Sequence, residues 1–193
     1  MNVSLCFFNL RRLKSEKGLK RMVRVIAFFV EILVFICTCW VVFFLSFLVH
    51  ELGHAVAYMA KTGDTHWHIR IGSGKSILKT QRLSIKLAVF DGECMFDEDK
   101  IKSTADAIVS LLGGPLFSFL TLGILFGIQL KFGVFESEII ATSAIVSIYN
   151  LSIFANTSIL ITTLAPIRYF WGETKGRKTD GLQILHIIRS KRS

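Results

Sequence analysis

Charged residues are scarce in three long stretches of this 193-residue chain, and proline is scarce throughout, with only two residues. The stretch 25–49 has Glu31 as its only charge, and the stretches 107–130 and 139–167 have none. Helices of water-soluble proteins carry charges on the face opposite their buried stripe, and these stretches do not. Each is long enough to cross the roughly 30 Å of a bilayer's hydrocarbon core. A soluble all-α protein would need a much larger chain to cover three such helices.

Other absences narrow the class of protein further. The four cysteines show neither metal-ligand nor disulfide-framework spacing. The first apolar run is too long for the core of a signal peptide, and no small-x-small cleavage site follows it, so we predict that it is retained. The formal net charge is +9, but lysine and arginine flank the apolar stretches. Attraction to anionic lipid headgroups therefore explains these residues better than nucleic-acid binding does.

The order of these segments predicts an all-α integral membrane protein with three transmembrane helices and a small β-hairpin element after the first. Residues 1–24 form a basic N-terminal head, and residues 25–190 form a membrane-embedded core, with spans at about 25–60, 107–130 and 139–167. The segment 61–103 alternates apolar and polar residues on either side of a Gly-Ser-Gly turn signal. This pattern is typical of a hairpin, which we expect to lie at the membrane surface.

The segment 50–54 reads His-Glu-x-x-His and contains the residues with the clearest chemistry, His50, Glu51 and His54. Residues four apart on a helix lie on the same face, so both imidazoles can bind one cation. Glu51 lies beside them and can accept a proton from water instead of binding the metal. Zinc suits such a site, because it accepts imidazole and carboxylate ligands and a catalytic site leaves one position for water. The motif predicts one Zn²⁺ ion and a hydrolytic reaction.

The position of this motif strengthens the interpretation. It falls within the long apolar run 32–60, in which the only other ionisable groups before Tyr58 are cysteine thiols. Ionisable residues inside a membrane are costly and usually functional. The alternative, polar residues satisfied at a helix end, fits this position less well.

A catalytic zinc ion has four ligands, and two histidines and a water fill three of these positions, so one protein ligand remains to be found. The candidates are Asp91, Asp180, Glu93, and the pair His66 and His68. Asp91 and Asp180 each precede a glycine, and the Asp-Gly pair in the hairpin segment is typical of an ordinary turn. Spacing alone does not choose among these residues.

Several segments resemble the site-two protease family of intramembrane zinc metalloproteases. Segment 50–55 resembles that family's first core helix, and segment 69–93 resembles its Gly-x-Gly hairpin. Segment 113–118 is similar to its Ala-Gly-Pro-x-x-Asn turn, with Gly113 for Ala and Ser118 for Asn. Segment 164–166 followed by Asp180-Gly181 looks like its Asn-Leu-Leu-Pro…Asp-Gly element. Thr163 replaces the usual Asn, and 13 residues separate Pro166 from Asp180, more than the usual spacing.

The resemblance implies that Asp180 is the third zinc ligand, beside His50 and His54, and that Glu51 is the general base. It also implies hydrolysis of a peptide bond within or next to a membrane-spanning segment. The expected partners are a membrane protein or membrane-associated peptide as substrate and the lipid bilayer, with no nucleic acid. Asn150 and Asn156 are polar residues in an uncharged span that could bind the substrate backbone, although such residues more often join helices.

The distribution of positive charge predicts the orientation. The hairpin segment and the tail hold 15 of the 23 lysine and arginine residues, and the remaining eight are in the head and at Lys131. Positive charge favours the cytoplasmic side, which places the N-terminus outside. The resemblance also implies a zinc site towards the cytoplasm, and we expect a multi-pass protein of a bacterial cell membrane. A head lying on the inner surface, with a re-entrant segment, is the alternative.

A function from another class is a non-proteolytic membrane protein that retains a zinc site as a regulatory, scaffolding or immunity partner. The altered Asn positions favour this alternative. Glu51 argues against it, because a structural zinc site does not need a base that binds no metal. A channel or transporter would be expected to show repeated half-helices, and the sequence has no internal repeat.

Overall fold

The computed structural model describes the backbone of residues 3–132, 144–170 and 172–191, and the side chains of 19–131, 146–170 and 172–191. Its elements are, in chain order, α1 (Val3–Thr62), β1 (Trp67–Lys79), β2 (Leu83–Phe96), a 3-10 helix (Glu98–Lys100), α2 (Thr104–Phe132), α3 (Ala144–Leu164) and α4 (Asp180–Ser190). The described part is mostly helical, with a two-stranded antiparallel hairpin directly after α1. The prediction of a mostly helical chain with a small β-hairpin after the first helix is therefore confirmed.

Three of these helices are long and apolar enough to cross a membrane, judged by length and composition: Leu19–Thr62, Thr104–Lys131 and Val146–Leu164. The first two contain the predicted spans. The beginning of the third predicted span, residues 139–143, lies outside the described residues. Helix α3 ends at Leu164. The ring of Pro166 disfavours helical backbone at Ala165, which explains why the helix ends before residue 167.

The chain divides into two compact units, Met1–Cys39 and Trp40–Ser193. The first unit is part of α1, which begins at Val3, so helix extends into the predicted basic head. Its large apolar side chains from Leu19 to Ile36 are exposed, for example Phe29 at 64%. An apolar helix of this kind is typical of contact with lipid.

In the second unit, the hairpin packs along α1. Its core consists of Ile69, Ile71 and Val89 with Ala55 of α1, surrounded by aromatic side chains of α1. The Trp40 indole donates a hydrogen bond of 2.7 Å to the carbonyl of Leu87. The hairpin thus packs against α1, and its expected place at the membrane surface stays a prediction.

Small residues bring α1 and α2 together. A Cβ built on Gly53 would lie 2.3 Å from the carbonyl oxygen of Gly113, and a Cβ built on Gly113 would lie equally close to that of Gly53. Only glycine at both positions allows the two backbones to approach this closely. The Asn156 amide of α3 donates to Ser46 Oγ of α1 at 3.0 Å, one turn before His50. These contacts place α2 and α3 beside the His-Glu-x-x-His segment.

Candidate metal centre

Helix α1 presents His50 and His54 on one face, as the spacing predicts. Their ring centroids are 5.0 Å apart, and their exposed fractions are 1% and 6%. Burial of two imidazoles at this depth requires partners for their ring nitrogens, because unpaired buried polar groups are costly.

Helix α2 supplies a partner for one nitrogen of each ring. His54 Nδ1 lies 2.9 Å from the carbonyl oxygen of Ser110, and His50 Nδ1 lies 2.9 Å from Ser118 Oγ. A carbonyl only accepts, so His54 carries a proton on Nδ1, and in the neutral imidazole its Nε2 offers a lone pair. A hydroxyl can donate or accept, and when Ser118 Oγ accepts, His50 takes the same tautomer. This is how metal-binding histidines are usually oriented.

Helix α4 brings Asp180 to the two free nitrogens. Asp180 Oδ2 lies 3.5 Å from His50 Nε2 and 3.4 Å from His54 Nε2. The N-cap residue of α4, Thr179, is fully buried and donates from Oγ1 to the carbonyl of Ala165 at 2.6 Å. This bond fixes the beginning of α4 against the end of α3.

The three side chains fit a cation. Their ligand atoms all lie within 4.8 Å of one another. Asp180 Oδ2 is buried and has no hydrogen-bond partner within the described residues. Ligands that hold zinc tetrahedrally at about 2.0–2.1 Å are about 3.3 Å apart, close to the two distances from Asp180 to the histidines. The donor set therefore suits Zn²⁺ in number, type and spacing.

Charge and space at the cluster also suit a cation. Asp180 places a carboxylate oxygen between two imidazole nitrogens, and a positive ion bound there would offset the cost of burying its charge. A Cβ built on Gly114 of α2 would lie 2.2 Å from His54 Nε2 and 2.7 Å from His50 Nε2. Only glycine at this position leaves the two nitrogens accessible.

Glu51 is close to this cluster but does not belong to it. It is 6% exposed, and it packs against β2, where a Cβ on Gly92 would lie 2.6 Å from Glu51 Oε1. Its carboxylate lines the same cavity as the three candidate ligands. This placement suits a residue that handles protons beside a metal ion.

The cavity has a volume of about 460 Å³. Its walls are the metal cluster, the β2 segment from Gly92 to Phe96, and the segment that connects α3 to α4, with Tyr169 and Lys178 among the lining residues. Burial, with the charge of Asp180, raises the pKa of Tyr169 well above its ordinary value, so its hydroxyl stays protonated.

The remaining candidates for the third ligand have other partners. His66 is 90% exposed in its side chain and contacts Asp64, and His68 Nδ1 lies 3.0 Å from the carbonyl of Gln81. Glu93 forms a salt bridge with Arg70 at 3.2 Å.

The prediction that Asp91 belongs to an ordinary turn is wrong. Asp91 is within β2 and is 3% exposed, and its carboxylate is surrounded by donors. Among the candidate ligands, all of which the structure describes, Asp180 is the one that meets the histidines.

The two asparagines differ in their surroundings. Asn150 is exposed on α3. Asn156 is buried and bonded to Ser46, which is the helix-joining arrangement. Neither residue is among those that line the cavity, and a role in substrate binding stays a prediction.

Sequence reasoning missed several residues that shape the site. Gly114 and Gly92 act through the space they leave free, and Ser110 acts through its backbone carbonyl, which the sequence does not reveal. The Gly-Gly-Pro segment of α2 was a usable signal, because two adjacent glycines inside an apolar helix suggest close packing.

Comparison of the chain with protein-family models, with curated proteins and with solved structures found no match. Function is therefore inferred from the site itself.

Proposed function

We propose that this protein is an integral-membrane zinc metalloprotease that hydrolyses a peptide bond within or next to a membrane-spanning segment of its substrate. The observation that carries the proposal is the convergence of His50, His54 and Asp180 beside Glu51, at a cavity. A site of this composition on a helix apolar enough to span a membrane suits hydrolysis of membrane substrates.

Exposed apolar side chains support a membrane location. Large residues such as Phe119 at 63%, Ile124 at 66% and Phe154 at 61% are on the surfaces of α2 and α3. Soluble monomers rarely expose contiguous apolar patches of more than a few hundred Å². Lipid accounts for such surfaces on all three candidate spans.

In this proposal, each residue of the site has a distinct role in the reaction. His50, His54 and Asp180 would hold the zinc ion, which polarises a carbonyl and lowers the pKa of water when bound. Glu51 accepts a proton from the attacking water as the new carbon–oxygen bond forms. It then delivers that proton to the amine nitrogen as the carbon–nitrogen bond breaks, so atoms and charge balance. Ser118 and the Ser110 carbonyl keep both imidazoles in the required tautomer.

The substrate would be a membrane protein or a membrane-associated peptide that enters the cavity beside the hairpin. Both β2 and the connection that leads to α4 line the cavity, and both offer polar side chains there, such as Glu93 and Thr174. An extended peptide fits a wall formed by a strand, since strands present backbone hydrogen-bonding groups along their edges.

We further propose that the zinc site faces the cytoplasm of a bacterial cell. The hairpin segment and tail carry 15 of the 23 positive residues, and such charge favours the cytoplasmic side. Membrane-impermeant thiol labelling should then reach a cysteine at Lys131 from outside, but not one at Lys75 or Lys191. External labelling at Lys75 would contradict this orientation.

The proposal is tested with the wild-type protein, a Glu51→Gln variant, and Glu98→Gln as the matched control, since Glu98 lines the same cavity but lies outside the cluster. Glu51→Gln should retain one zinc ion and lose cleavage of co-expressed membrane peptides by about 10²–10⁴-fold, because the amide cannot accept the proton. Glu98→Gln should behave like the wild type.

Two results would count against this assignment. Equal zinc loss in Glu51→Gln and His54→Ala would make Glu51 a ligand and not a base. Zinc bound by the wild type without cleavage of any peptide in a broad panel would favour a non-proteolytic zinc protein.

A further inference from the structure

The connection between α3 and α4 is held to the hairpin by the buried carboxylate of Asp91 and, at the surface, by the exposed Glu173 side chain, which accepts from the Gly74 N–H at 3.2 Å and pairs with Lys86. Asp91 Oδ1 accepts a hydrogen bond from Ser73 Oγ at 2.8 Å, within the hairpin. Asp91 Oδ2 accepts from the backbone N–H of Glu173 at 3.1 Å and from Thr174 Oγ1 at 3.4 Å, both in the connection. A single side chain thus binds both segments.

The charge of Asp91 is balanced by Arg70, which is 7% exposed. Arg70 Nη1 lies 3.5 Å from Asp91 Oδ2 and donates to the carbonyl of Gly72 at 2.6 Å, and Nη2 lies 3.2 Å from Glu93 Oε2. Glu93 also contacts Arg177 of the connection. Buried charges persist only when paired and hydrogen-bonded, and this group meets both conditions.

The connection is shaped to accept Asp91. Gly172 has a φ of +68°, a conformation that favours glycine, and a Cβ there would lie 2.5 Å from Asp91 Oδ2. Beyond this contact, the connection forms a narrow loop. Tyr169 N–H donates to the carbonyl of Arg177 at 2.9 Å, and Gly176 N–H donates to the carbonyl of Tyr169 at 2.7 Å.

This loop leads directly to the metal cluster. Arg168 and Lys178 pair as an isolated β-bridge, and Thr179 and Asp180 follow at once. The point where the loop meets Asp91 therefore restricts where Asp180 can lie.

We propose that Asp91 is a positioning residue for the metal centre, which seats the loop between α3 and α4 so that Asp180 faces His50 and His54. The role rests on the proposed metal centre but not on the proposed proteolysis. Asp91 acts through the loop, because its own oxygens are occupied by Ser73, the loop and Arg70. Residues that orient metal ligands typically change metal affinity by about 10–100-fold when they are replaced.

The test measures zinc affinity of the purified full-length protein by competition with a chromophoric chelator. Asp91→Ala should bind zinc about 10–100-fold more weakly than the wild type. The zinc affinity of Asp91→Asn should lie between those of Asp91→Ala and the wild type, because the asparagine amide keeps one acceptor oxygen. Gly172→Ala, which disturbs the same contact from the loop side, should weaken zinc binding in the same direction.

Two controls separate positioning from general stability. Ile71→Ala removes a fully buried hairpin side chain, so it should lower the melting temperature but keep the zinc affinity. Asp99→Ala removes an exposed carboxylate and should change neither. The visible absorption of the Co²⁺-loaded protein should change in Asp91→Ala but not in Ile71→Ala, because only the former alters ligand geometry.

A second measurement needs no metal. Hydrogen exchange at residues 172–178 of the metal-free protein should be faster in Asp91→Ala, since the Glu173 N–H loses one of its two acceptors and keeps only Ser73 Oγ, at 3.2 Å. Wild-type zinc affinity in Asp91→Ala, or equal zinc loss in Ile71→Ala, would overturn the positioning role. A wild type that binds no zinc would overturn both the metal centre and this role, and zinc binding without proteolysis would overturn only the proposed activity.

Discussion

The chain contains two buried Asp-Gly pairs, Asp91-Gly92 and Asp180-Gly181, that look alike in sequence and differ in their surroundings. Donors from the hairpin, the loop and an arginine surround the carboxylate of Asp91. One carboxylate oxygen of Asp180 has no hydrogen bond within the described residues and faces two imidazole nitrogens. The first carboxylate is already satisfied, whereas the second has an oxygen available for a cation. The partners of a buried acid thus separate a positioning residue from a candidate ligand.

The largest effect should come from Asp180→Ala. This change removes one of three candidate ligands, so zinc affinity should fall by more than the roughly 10–100-fold typical of residues that only orient a ligand. Proteolysis should become undetectable. Zinc content by elemental analysis, together with peptide cleavage, measures both effects.

Asp91→Ala is the matched comparison for Asp180→Ala. From sequence alone, an Asp-Gly turn would lose neither zinc nor activity, but the buried contacts of Asp91 now predict an intermediate loss. Full zinc retention in Asp180→Ala with complete loss in Asp91→Ala would reverse the two roles and move the ligand to the hairpin.

The long helices, the hairpin and the facing histidines could be predicted from the sequence, because each depends on residues that are close together in the chain. Uncharged apolar runs predicted three long helices, because crossing hydrocarbon demands length and apolarity. The four-residue spacing of His50 and His54 placed both rings on one face, because helix geometry is fixed. Alternation predicted the hairpin.

The rest depends on contacts between distant segments, which a single sequence does not reveal. Asp180 reaches the histidines because the loop between α3 and α4, residues 165–179, folds against Asp91, which lies on a strand much earlier in the chain. The surroundings of Asp91 could not be predicted either, since they require the hairpin to pair and the loop to dock. The adjacent glycines Gly113 and Gly114 indicate close packing of α2, but the sequence does not reveal that Gly114 faces the two histidines.

The two glycines that follow the aspartates offer a finer comparison. A Cβ on Gly181 would lie 1.9 Å from the Leu164 carbonyl oxygen, so Gly181→Ala should shift the beginning of α4 and displace Asp180. A Cβ on Gly92 would instead lie 2.6 Å from Glu51 Oε1. Gly181→Ala should therefore lose both zinc and activity, whereas Gly92→Ala should keep zinc and lose activity.

Zinc titration and peptide cleavage of both glycine variants distinguish these outcomes. Gly74→Ala is a control for steric effects, because a Cβ there has nothing within 4 Å, although its φ of +84° adds backbone strain. Loss of zinc in Gly92→Ala would show that β2 supports the metal cluster and not only Glu51.

The smallest effect should come from Ser118→Ala, which removes the partner of His50 Nδ1 but no candidate ligand. The imidazole would keep its place on α1 but lose the bond that fixes its tautomer, so we expect zinc affinity to fall by about tenfold, or about 1.4 kcal/mol. Thr121→Ala is the matched control on the same helix, because its hydroxyl only bonds the carbonyl of Phe117. Chelator competition on both variants measures the difference.

If Ser118→Ala bound zinc as tightly as Thr121→Ala, helix geometry alone would orient His50, and the bond from α2 would contribute to packing instead. Because His54 is held by a backbone carbonyl that no side-chain substitution removes, the two histidines should differ in their sensitivity to changes in α2.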